Sequence, residues 1–253
     1  EAVGRFIADK FYTVPPGTTP DFIERLMDIV EKEKPDVVFP ESSNEVYNLA
    51  LNREKIEALG TKVVVSEPEP IDLSNNKYKM YERLREKTDL PLPEYHLVKS
   101  IEEFDDAVEA LGYPDEPVVF KPPVGKGSRG VRIIDPEKSR KKILLEEKPN
   151  SKLMSFEEFH DIFEGDPDFP ELMVQEFLPG LQRTTDSLCL KGRELLTTVK
   201  TVEQARWGVI VRGELVKRPD LIEQTGKILD AIPLSYCVNI QFIEERLMEI
   251  NPR

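Results

Sequence analysis

The stretch VVFKPPVGKGSRGVRII, Val118–Ile134, contains the most informative motif of this chain. Three of its glycines, Gly125, Gly127 and Gly130, form the pattern G-x-G-x-x-G, and Lys121 stands shortly before them. Glycines allow a backbone to come close to phosphate oxygens and to point its N–H groups at them. Three unrelated nucleotide-binding designs use such a pattern, and the flanking residues distinguish among them.

The residues after the glycines exclude two of these designs. A dinucleotide-binding loop opens a helix, whereas the run from Val131 to Ile134 is β-rich and predicts a strand. A Walker A loop needs a lysine where Val131 stands. A protein kinase has a strand on each side of its loop, but its H-R-D and D-F-G partners are absent from this sequence. We therefore predict a glycine-rich β-hairpin that folds over phosphates.

Positive charges surround this predicted hairpin in an acidic chain. Lys126, Arg129 and Arg132 lie in or beside the loop. Lys121 ends an apolar strand, where a lysine is costly unless it meets a counter-charge. A flexible surface hairpin with solvated cations is the alternative.

The composition indicates a globular chain whose partners are small molecules. Hydrophobic residues make up 39% and charged residues 33% of the 253 residues, which suits one large domain or two smaller ones. The net charge of −13 argues against a nucleic-acid or anionic-membrane partner. No apolar run is long enough to cross a bilayer, and no signal peptide is visible. Cys189 and Cys237 are isolated without metal-ligand spacing, so we expect a cytoplasmic protein.

The order of helix and strand patterns predicts an α/β fold with α+β lobes. Residues 1–73 alternate helices with short apolar strands, which predicts a partial parallel α/β domain. An N-cap at Ser74 or Asn75 opens a helix, and the segment 74–178 contains the glycine hairpin. Strand-like runs with one helix dominate 179–253, whose C-terminus we expect to be truncated.

The last two strands predict a polar sheet face. Side chains two apart on a strand share a face, and we expect a tight three-residue turn, Glu244–Arg246, to join the strands. The predicted pairs are Gln241 with Glu249 and Asn239 with Asn251, and the predicted buried neighbours are Phe242 and Ile250. Four oxygen-bearing side chains on one face suit a hard cation such as Mg²⁺ that is shared with phosphates. A solvated polar face is the alternative.

Four motifs in this order resemble the ATP-grasp superfamily. They are NNKYKMYERL (75–84), KPPVGKGSRGV (121–131), VQEFLPG (174–180), and VNIQF followed by LMEINPR (238–253). The likeness is strongest to the carbamoyl-phosphate-synthase large-chain-like branch, in which a Rossmann-like parallel α/β domain precedes the ATP-grasp fold. The resemblance implies the same arrangement here, with residues 1–73 as the latter part of the preceding domain. It also implies ATP and Mg²⁺ (or Mn²⁺) as cofactors.

The resemblance assigns roles to individual residues. Lys77 and Lys121 would hold the α- and β-phosphates, although Lys77 could also be a solvated lysine at a helix start. Gln175–Leu178 would be the hinge around adenine, with Glu176 accepting the amino hydrogen and the Phe177 and Leu178 backbone pairing with the ring edge. The other implied nucleotide contacts are Gly125, Lys126, Gly127, Ser128, Arg129, Gly130 and Gln182. The implied metal ligands are Gln241, Glu249 and Asn251, with Arg253 reaching the transferred phosphate.

The chemistry implied by the resemblance is phosphorylation of a carboxylate, followed by attack of an amine on the acyl phosphate. Lys200, Arg206 and Arg212 are candidates for meeting an anionic substrate, the alternative being solvated surface cations. The family usually carries a carboxylate after the hinge for the ribose hydroxyls. This chain has Gln182 near that point, and a neutral acceptor is weaker than a charged one.

We therefore predict a carboxylate–amine ligase acting on small molecules, with no nucleic-acid or membrane partner. One alternative is a carbamoyl-phosphate-forming unit that phosphorylates bicarbonate or carbamate. The other is a nucleotide-binding subunit without turnover. A homodimer is left open.

Overall fold

The computed structural model describes residues 3–125, 129–148, 151–206 and 209–252. Lys126, Gly127, Ser128 and Arg253, to which the sequence assigned roles, lie outside these ranges. Within the described ranges, no helix is long and apolar enough to cross a membrane.

The N-terminal part alternates helices and strands as predicted. Its elements are α1 (Asp21–Glu33), β1 (Val37–Val38), α2 (Val46–Glu57), β2 (Lys62–Val63) and α3 (Pro68–Asn75). The two short strands pair in parallel, with Val37 opposite Lys62. The sequence missed α3, which Pro68 begins at a position where its missing N–H costs nothing. The predicted N-cap at Ser74 or Asn75 is therefore wrong, because both residues lie within α3.

Asn76 caps the next helix instead, through its side-chain oxygen and the backbone N–H of Lys79. This helix begins at Lys77, which therefore lies in the first turn of a capped helix, as predicted. Serine caps start three of the later helices in the same way, at Ser100, Ser139 and Ser155. The elements from here to the hinge are α4 (Lys77–Lys87), β3 (Tyr95–Val98), α5 (Ile101–Ala110), β4 (Val118–Lys121), β5 (Arg132–Ile134), α6 (Arg140–Glu146), β6 (Leu153–Met154), α7 (Phe156–Phe163) and β7 (Leu172–Glu176).

The first five-stranded sheet has the order β3-β7-β4-β5-β6 and contains the glycine hairpin. β4 and β5 are antiparallel, with Val118 opposite Ile134 and Phe120 opposite Arg132. No helix opens after the glycines, so the prediction of a strand–loop–strand hairpin is confirmed. α5 and α7 cover one face of this sheet through a cluster that includes Phe104, Phe120 and Phe159.

The second five-stranded sheet has the order β10-β9-β8-β11-β12 and is antiparallel throughout the described residues. Its elements are β8 (Gln182–Leu190), β9 (Arg193–Arg206), β10 (Val209–Leu215), α8 (Pro219–Ala231), β11 (Tyr236–Ile243) and β12 (Arg246–Pro252). One face packs on α8 and belongs to a large hydrophobic cluster, which extends to α1, α2 and the Met80, Tyr81 and Leu84 side chains of α4.

The hairpin of β11 and β12 has the predicted pairing but not the predicted turn. Gln241 lies opposite Glu249, and Asn239 lies opposite Asn251. The turn contains two residues rather than three, because Arg246 already pairs with Ile243. A register shift of one residue between Gln241 and Phe242, a β-bulge, restores the predicted register.

Candidate functional site

Two polar rows cross the face of the second sheet that lies opposite its hydrophobic core. Each row consists of residues that lie opposite one another on four strands. On every strand, the residue of the second row is two positions from the residue of the first, toward the same end of the sheet. The first row is Glu249, Gln241, Thr184 and Lys200, and the second is Asn251, Asn239, Asp186 and Thr198. The sheet therefore gathers carboxylate, amide, hydroxyl and ammonium groups on one surface. We call these two rows the polar face.

The opposite face of the same strands is apolar and buried. Ile240, Phe242 and Ile250 expose at most 3% of their surface. Glu249 and Gln241 thus share one face, while Phe242 and Ile250 lie together on the other, as predicted. A one-residue slip would exchange the two faces, so burial of these apolar side chains sets the register.

Lys77 connects the polar face to the glycine hairpin. Its Nζ lies 3.6 Å from Glu249 Oε2 and donates to the backbone oxygen of Gly125 at 3.3 Å. The backbone N–H of Lys77 also donates to the oxygen of Pro123 at 2.9 Å. The lysine side chain is only 10% exposed. The start of α4, the glycine loop and the polar face therefore meet at this one residue.

Lys121 lies buried beside Lys77. Burial lowers the pKa of Lys121 to about 7, and the positive charge of Lys77 adds to this effect while Glu249 opposes it. Its Nζ stands 6.0 Å from the centre of the Tyr81 ring, within cation–π range. Two lysines meet only one carboxylate here, so an anionic ligand would balance the remaining positive charge.

Tyr81 supports the bulge next to Glu249. Its hydroxyl donates to the backbone oxygen of Leu247 at 2.9 Å and to that of Met248 at 3.2 Å. Burial raises the pKa of this phenol far above its ordinary value, so it remains a donor at every ordinary pH. The same helix, α4, thus supplies Lys77 and holds the strand that carries Glu249.

The hinge after β7 contains one occupied and one unpartnered polar side chain. Glu176 accepts from the backbone N–H of Glu94 at 2.9 Å and from the Arg246 guanidinium. Gln175 is fully buried, and neither its Nε2 nor its Oε1 has a hydrogen-bond partner among the described residues. Such a group is costly unless a ligand completes it. The role of Glu176 toward adenine stays a prediction, and Gln175 is the free group beside it.

At the position expected for ribose binding, Gln182 donates through Nε2 to Gln241 Oε1 at 3.1 Å. A carboxylate that sequence reasoning missed lies nearby. Glu244 accepts from the backbone N–H of Leu181 at 2.8 Å and pairs with Arg183 at 2.6 Å. Both partners follow the hinge directly, so Glu244 connects the turn between β11 and β12 to that segment through hydrogen bonds.

The predicted acceptor-side cations have different surroundings. Lys200 lies on the polar face, and its Nζ is 2.5 Å from Asp186 Oδ2. Arg212 is 76% exposed and pairs with Glu203 at 2.5 Å, with no contact to the polar face among the described residues. The side chain of Arg206 lies outside the described structure.

Sequence reasoning missed Asp186 and Thr184, and it placed Asn239 among the four oxygen-bearing side chains of this face without naming it a metal ligand. The Asn239 amide donates to Asp186 Oδ1 at 2.7 Å and to the Thr184 hydroxyl at 2.5 Å. The alternation of residues along β8 could have placed the first two on the same face as Gln182.

The residues predicted as metal ligands form a mixed oxygen set. Asn251 donates through Nδ2 to Glu249 Oε1 at 3.1 Å, and Gln241 lies directly opposite Glu249. Within the described ranges, no three His, Cys, Asp or Glu side chains come together as a metal cage. One carboxylate with amide oxygens suits Mg²⁺, which binds through few protein ligands together with substrate phosphates.

Two five-stranded sheets, with a glycine hairpin in the first and this polar face on the second, define the class of fold, and comparisons with known proteins agree. Residues 168–253 match the family model "ATP-grasp in the biosynthetic pathway with Ter operon", and residues 2–64 match "PylC-like, N-terminal domain". The carbamoyl phosphate synthase large chain of Clostridium acetobutylicum is 24% identical over 247 residues, or 92% of this chain and 21% of that relative. The chain therefore spans about a fifth of that relative's length. These matches confirm the resemblance to the ATP-grasp superfamily and its carbamoyl-phosphate-synthase-like branch.

Solved structures share the same fold. The biotin carboxylase domain dimer of the Hydrogenobacter thermophilus 2-oxoglutarate carboxylase, in complex with MgADP, ADP and bicarbonate, has a TM-score of 0.68 and 18% identity, covering 98% of this chain and 55% of that one. N5-carboxyaminoimidazole synthetase from Staphylococcus aureus complexed with ADP has a TM-score of 0.67 and 17% identity, covering 98% and 60%. At these identities the likeness establishes the ATP-grasp fold, which this chain shares with carboxylases and ligases.

Proposed function

We propose that the chain binds Mg-ATP between the glycine hairpin and the polar face and activates a carboxylate as an acyl phosphate for attack by an amine. The observation that carries this proposal is the position of Lys77, which contacts both Gly125 of the hairpin and Glu249 of the polar face. Buried Lys121 stands beside it. A triphosphate would supply the negative charge that two neighbouring lysines need.

Each residue of the site has a separate task in this proposal. Lys77 and Lys121 bind phosphate oxygens, and the hinge around Gln175 holds the base. Glu249, Asn251 and Gln241 would hold Mg²⁺, which neutralises phosphate charge and orients the γ-phosphate when bound. Catalysis then consists mainly of positioning and charge neutralisation.

The reaction proceeds in two displacements. A carboxylate oxygen of the substrate forms a bond to the γ-phosphorus while the bond to the bridging oxygen breaks, and ADP leaves. The amine nitrogen then attacks the acyl carbon, inorganic phosphate leaves, and the nitrogen loses a proton to solvent. No nucleophile of the protein is needed. Lys200, on the polar face one strand from Thr184, is the cation we assign to the acceptor carboxylate.

Two observations favour other functions. The names of the carbamoyl phosphate synthase relatives and the bicarbonate in one structural neighbour favour phosphorylation of bicarbonate by this chain. The neutral Gln182 at the ribose position favours a nucleotide-binding subunit without turnover. We infer a small-molecule partner in all three cases, and the dimeric neighbour favours a homodimer.

The test of turnover compares two Glu→Gln variants on the same hairpin. Glu249→Gln should lower kcat for ADP release by about a hundredfold while ATP affinity falls much less, because a metal ligand contributes most in the transition state. Glu245→Gln is the matched control, since that turn residue is 63% exposed and pairs with Arg218. Hydroxylamine should trap the activated acid as a hydroxamate.

The assay should use the full-length protein, Mg-ATP, a panel of carboxylic acids with amines, and bicarbonate alone. ADP release with bicarbonate alone would favour the carbamoyl-phosphate-type reaction. A protein that binds Mg-ATP and releases no ADP in any of these mixtures would be a nucleotide-binding subunit.

A further inference from the structure

Beyond the two polar rows, the same face of the second sheet becomes apolar. The next row consists of Cys237, Leu188 and Leu196, which lie opposite one another on β11, β8 and β9. Leu190 follows two residues after Leu188 and shares its face. We call these four residues the apolar shelf.

These leucines face outward and are not part of the core. Leu188, Leu190 and Leu196 are 45%, 50% and 61% exposed, while the alternate residues Ser187 and Cys189 are buried. A sheet that packs one face on a core ordinarily presents polar side chains on the other. The fold does not require leucines here, and clustered exposed apolar side chains mark an interaction site.

The order of residues along β8 locates the apolar shelf relative to the nucleotide. Gln182, at the hinge end, comes first, and Thr184 follows in the row of Glu249. Asp186 is next, and Leu188 comes last. Each step of two residues advances about 7 Å along the strand. The shelf therefore begins about 7 Å beyond the second polar row, on the side away from the hinge.

We propose that the apolar shelf holds the apolar body of the carboxylic acid whose activation is proposed above, while Lys200 holds its carboxylate. This inference rests on that proposed function and narrows its substrate class. The acid carries an aliphatic or aromatic body, because a small polar acid or bicarbonate would leave the leucines uncovered. The Lys200 ammonium pairs with Asp186 in the row next to the apolar shelf, and the leucines lie just beyond that row. A cation on one side of this row and apolar side chains on the other together match an amphipathic acid.

Cys237 allows binding to be measured without turnover. It is the exposed thiol of the shelf, whereas Cys189 is buried. We expect octanoate, at five times its Kd in the presence of Mg²⁺ and a non-hydrolysable ATP analogue, to slow alkylation of Cys237 by N-ethylmaleimide about sixfold by mass action. Acetate at the same concentration should leave the rate unchanged. Loss of labelling in Cys237→Ser identifies the reacting thiol.

A matched pair of variants tests the location. Leu196→Glu should abolish the protection by octanoate while binding of the ATP analogue stays unchanged. Leu145→Glu is the control, because Leu145 lies on α6 and is 71% exposed. Each variant is compared with its own rate in the absence of acid.

The remaining outcomes separate this inference from the proposed function. Protection by octanoate without ADP release for any acid would support acid binding at the apolar shelf and contradict the proposed ligase activity. ADP release with short acids, with no protection by octanoate, would support the proposed ligase activity and overturn the proposal that the apolar shelf binds the acid. A dimer that Leu196→Glu converts to monomer would overturn it as well, because the shelf would then be an interface between copies.

Discussion

At the scale of single residues, Lys121 predicts that Mg-ATP binding depends on pH. Its pKa of about 7 results first from burial and then from the charge of Lys77. Bound phosphates would add negative charge and move this pKa back toward the ordinary lysine value. At a pH between the pKa of Lys121 in the free protein and its pKa in the complex, Lys121 is neutral before binding and protonated after it. Binding therefore takes up a proton.

We therefore expect Mg-ATP binding at pH 8 to take up about 0.9 proton, since a lysine of pKa about 7 is then about one-tenth protonated. The observed affinity should fall as pH rises above 7 and should not depend on this group below it. Calorimetry in buffers of different ionisation enthalpy measures the uptake. Lys121→Met should lose it, whereas Lys79→Met on the surface of α4 should keep it. Equal proton uptake in both variants would contradict the prediction that Lys121 contacts the nucleotide.

Gln175 carries the second prediction at this scale. Its buried amide has no partner among the described residues, so the folded protein bears a desolvation cost that the proposed nucleotide would relieve. Gln175→Leu should raise the free energy of unfolding by about 1 to 3 kcal/mol and weaken ATP binding by about tenfold. Urea unfolding and calorimetry measure the two effects. A less stable variant with unchanged affinity would contradict both parts.

At the scale of elements, each of two hairpins depends on one irregularity. The β-bulge in β11 and β12 brings Glu249 opposite Gln241 although the turn is one residue shorter than expected. In the glycine hairpin, Gly130 has φ of +74°, and an added Cβ would stand 2.7 Å from Pro122 Cδ. A side chain at Gly130 would therefore displace the loop that Lys77 contacts.

A pair of glycine variants separates backbone strain from loop displacement. Gly165 has φ of +75° with nothing within 4 Å of an added Cβ. Alanine at either position should cost about 1 kcal/mol of stability from the left-handed backbone. Gly130→Ala alone should also weaken Mg-ATP binding about tenfold. Equal affinities in the two variants, measured by calorimetry, would show that the loop does not contact the nucleotide.

At the scale of the whole molecule, the hydrophobic core that the described residues form consists of two clusters. One joins the N-terminal helices, α4 and the second sheet. The other lies between the first sheet and the helices α5 and α7. The boundaries at residues 73 and 178 stay predictions, and α4 packs with the cluster of the second sheet. Lys77 contacts both the glycine hairpin and the polar face, at the proposed nucleotide site.

Mg-ATP should therefore stabilise both parts together. At one hundred times its Kd it should raise the free energy of unfolding by about 2.7 kcal/mol, and hydrogen exchange should slow in both hairpins. Lys77→Met should weaken binding about thirtyfold, the equivalent of about 2 kcal/mol for a charge-assisted contact. Lys79→Met is the matched control, because Lys79 is 51% exposed and pairs with Asp72. Exchange that slows in only one hairpin would contradict a nucleotide site between them.

The local features of this protein could be predicted from its sequence. The β-rich run after Gly130 determined the hairpin, and alternation along β11 and β12 determined which side chains share the polar face. These features depend on residues close together in the chain, whose periodicity is set by strand geometry. The sequence failed where local patterns compete, since Ser74 and Asn75 are good helix caps but Pro68 begins a helix that includes them.

The contacts between residues distant in the chain could be seen only in the folded protein. Lys77 meets Glu249 across 172 positions of the chain, and Tyr81 supports a bulge that no periodicity reveals. The lowered pKa of Lys121 and the unpartnered amide of Gln175 depend on burial by several elements at once. The apolar shelf became visible only when the sheet order placed Leu188 beside Leu196 and Cys237. Contacts of this kind depend on packing between elements, which the spacing of residues within one element does not encode.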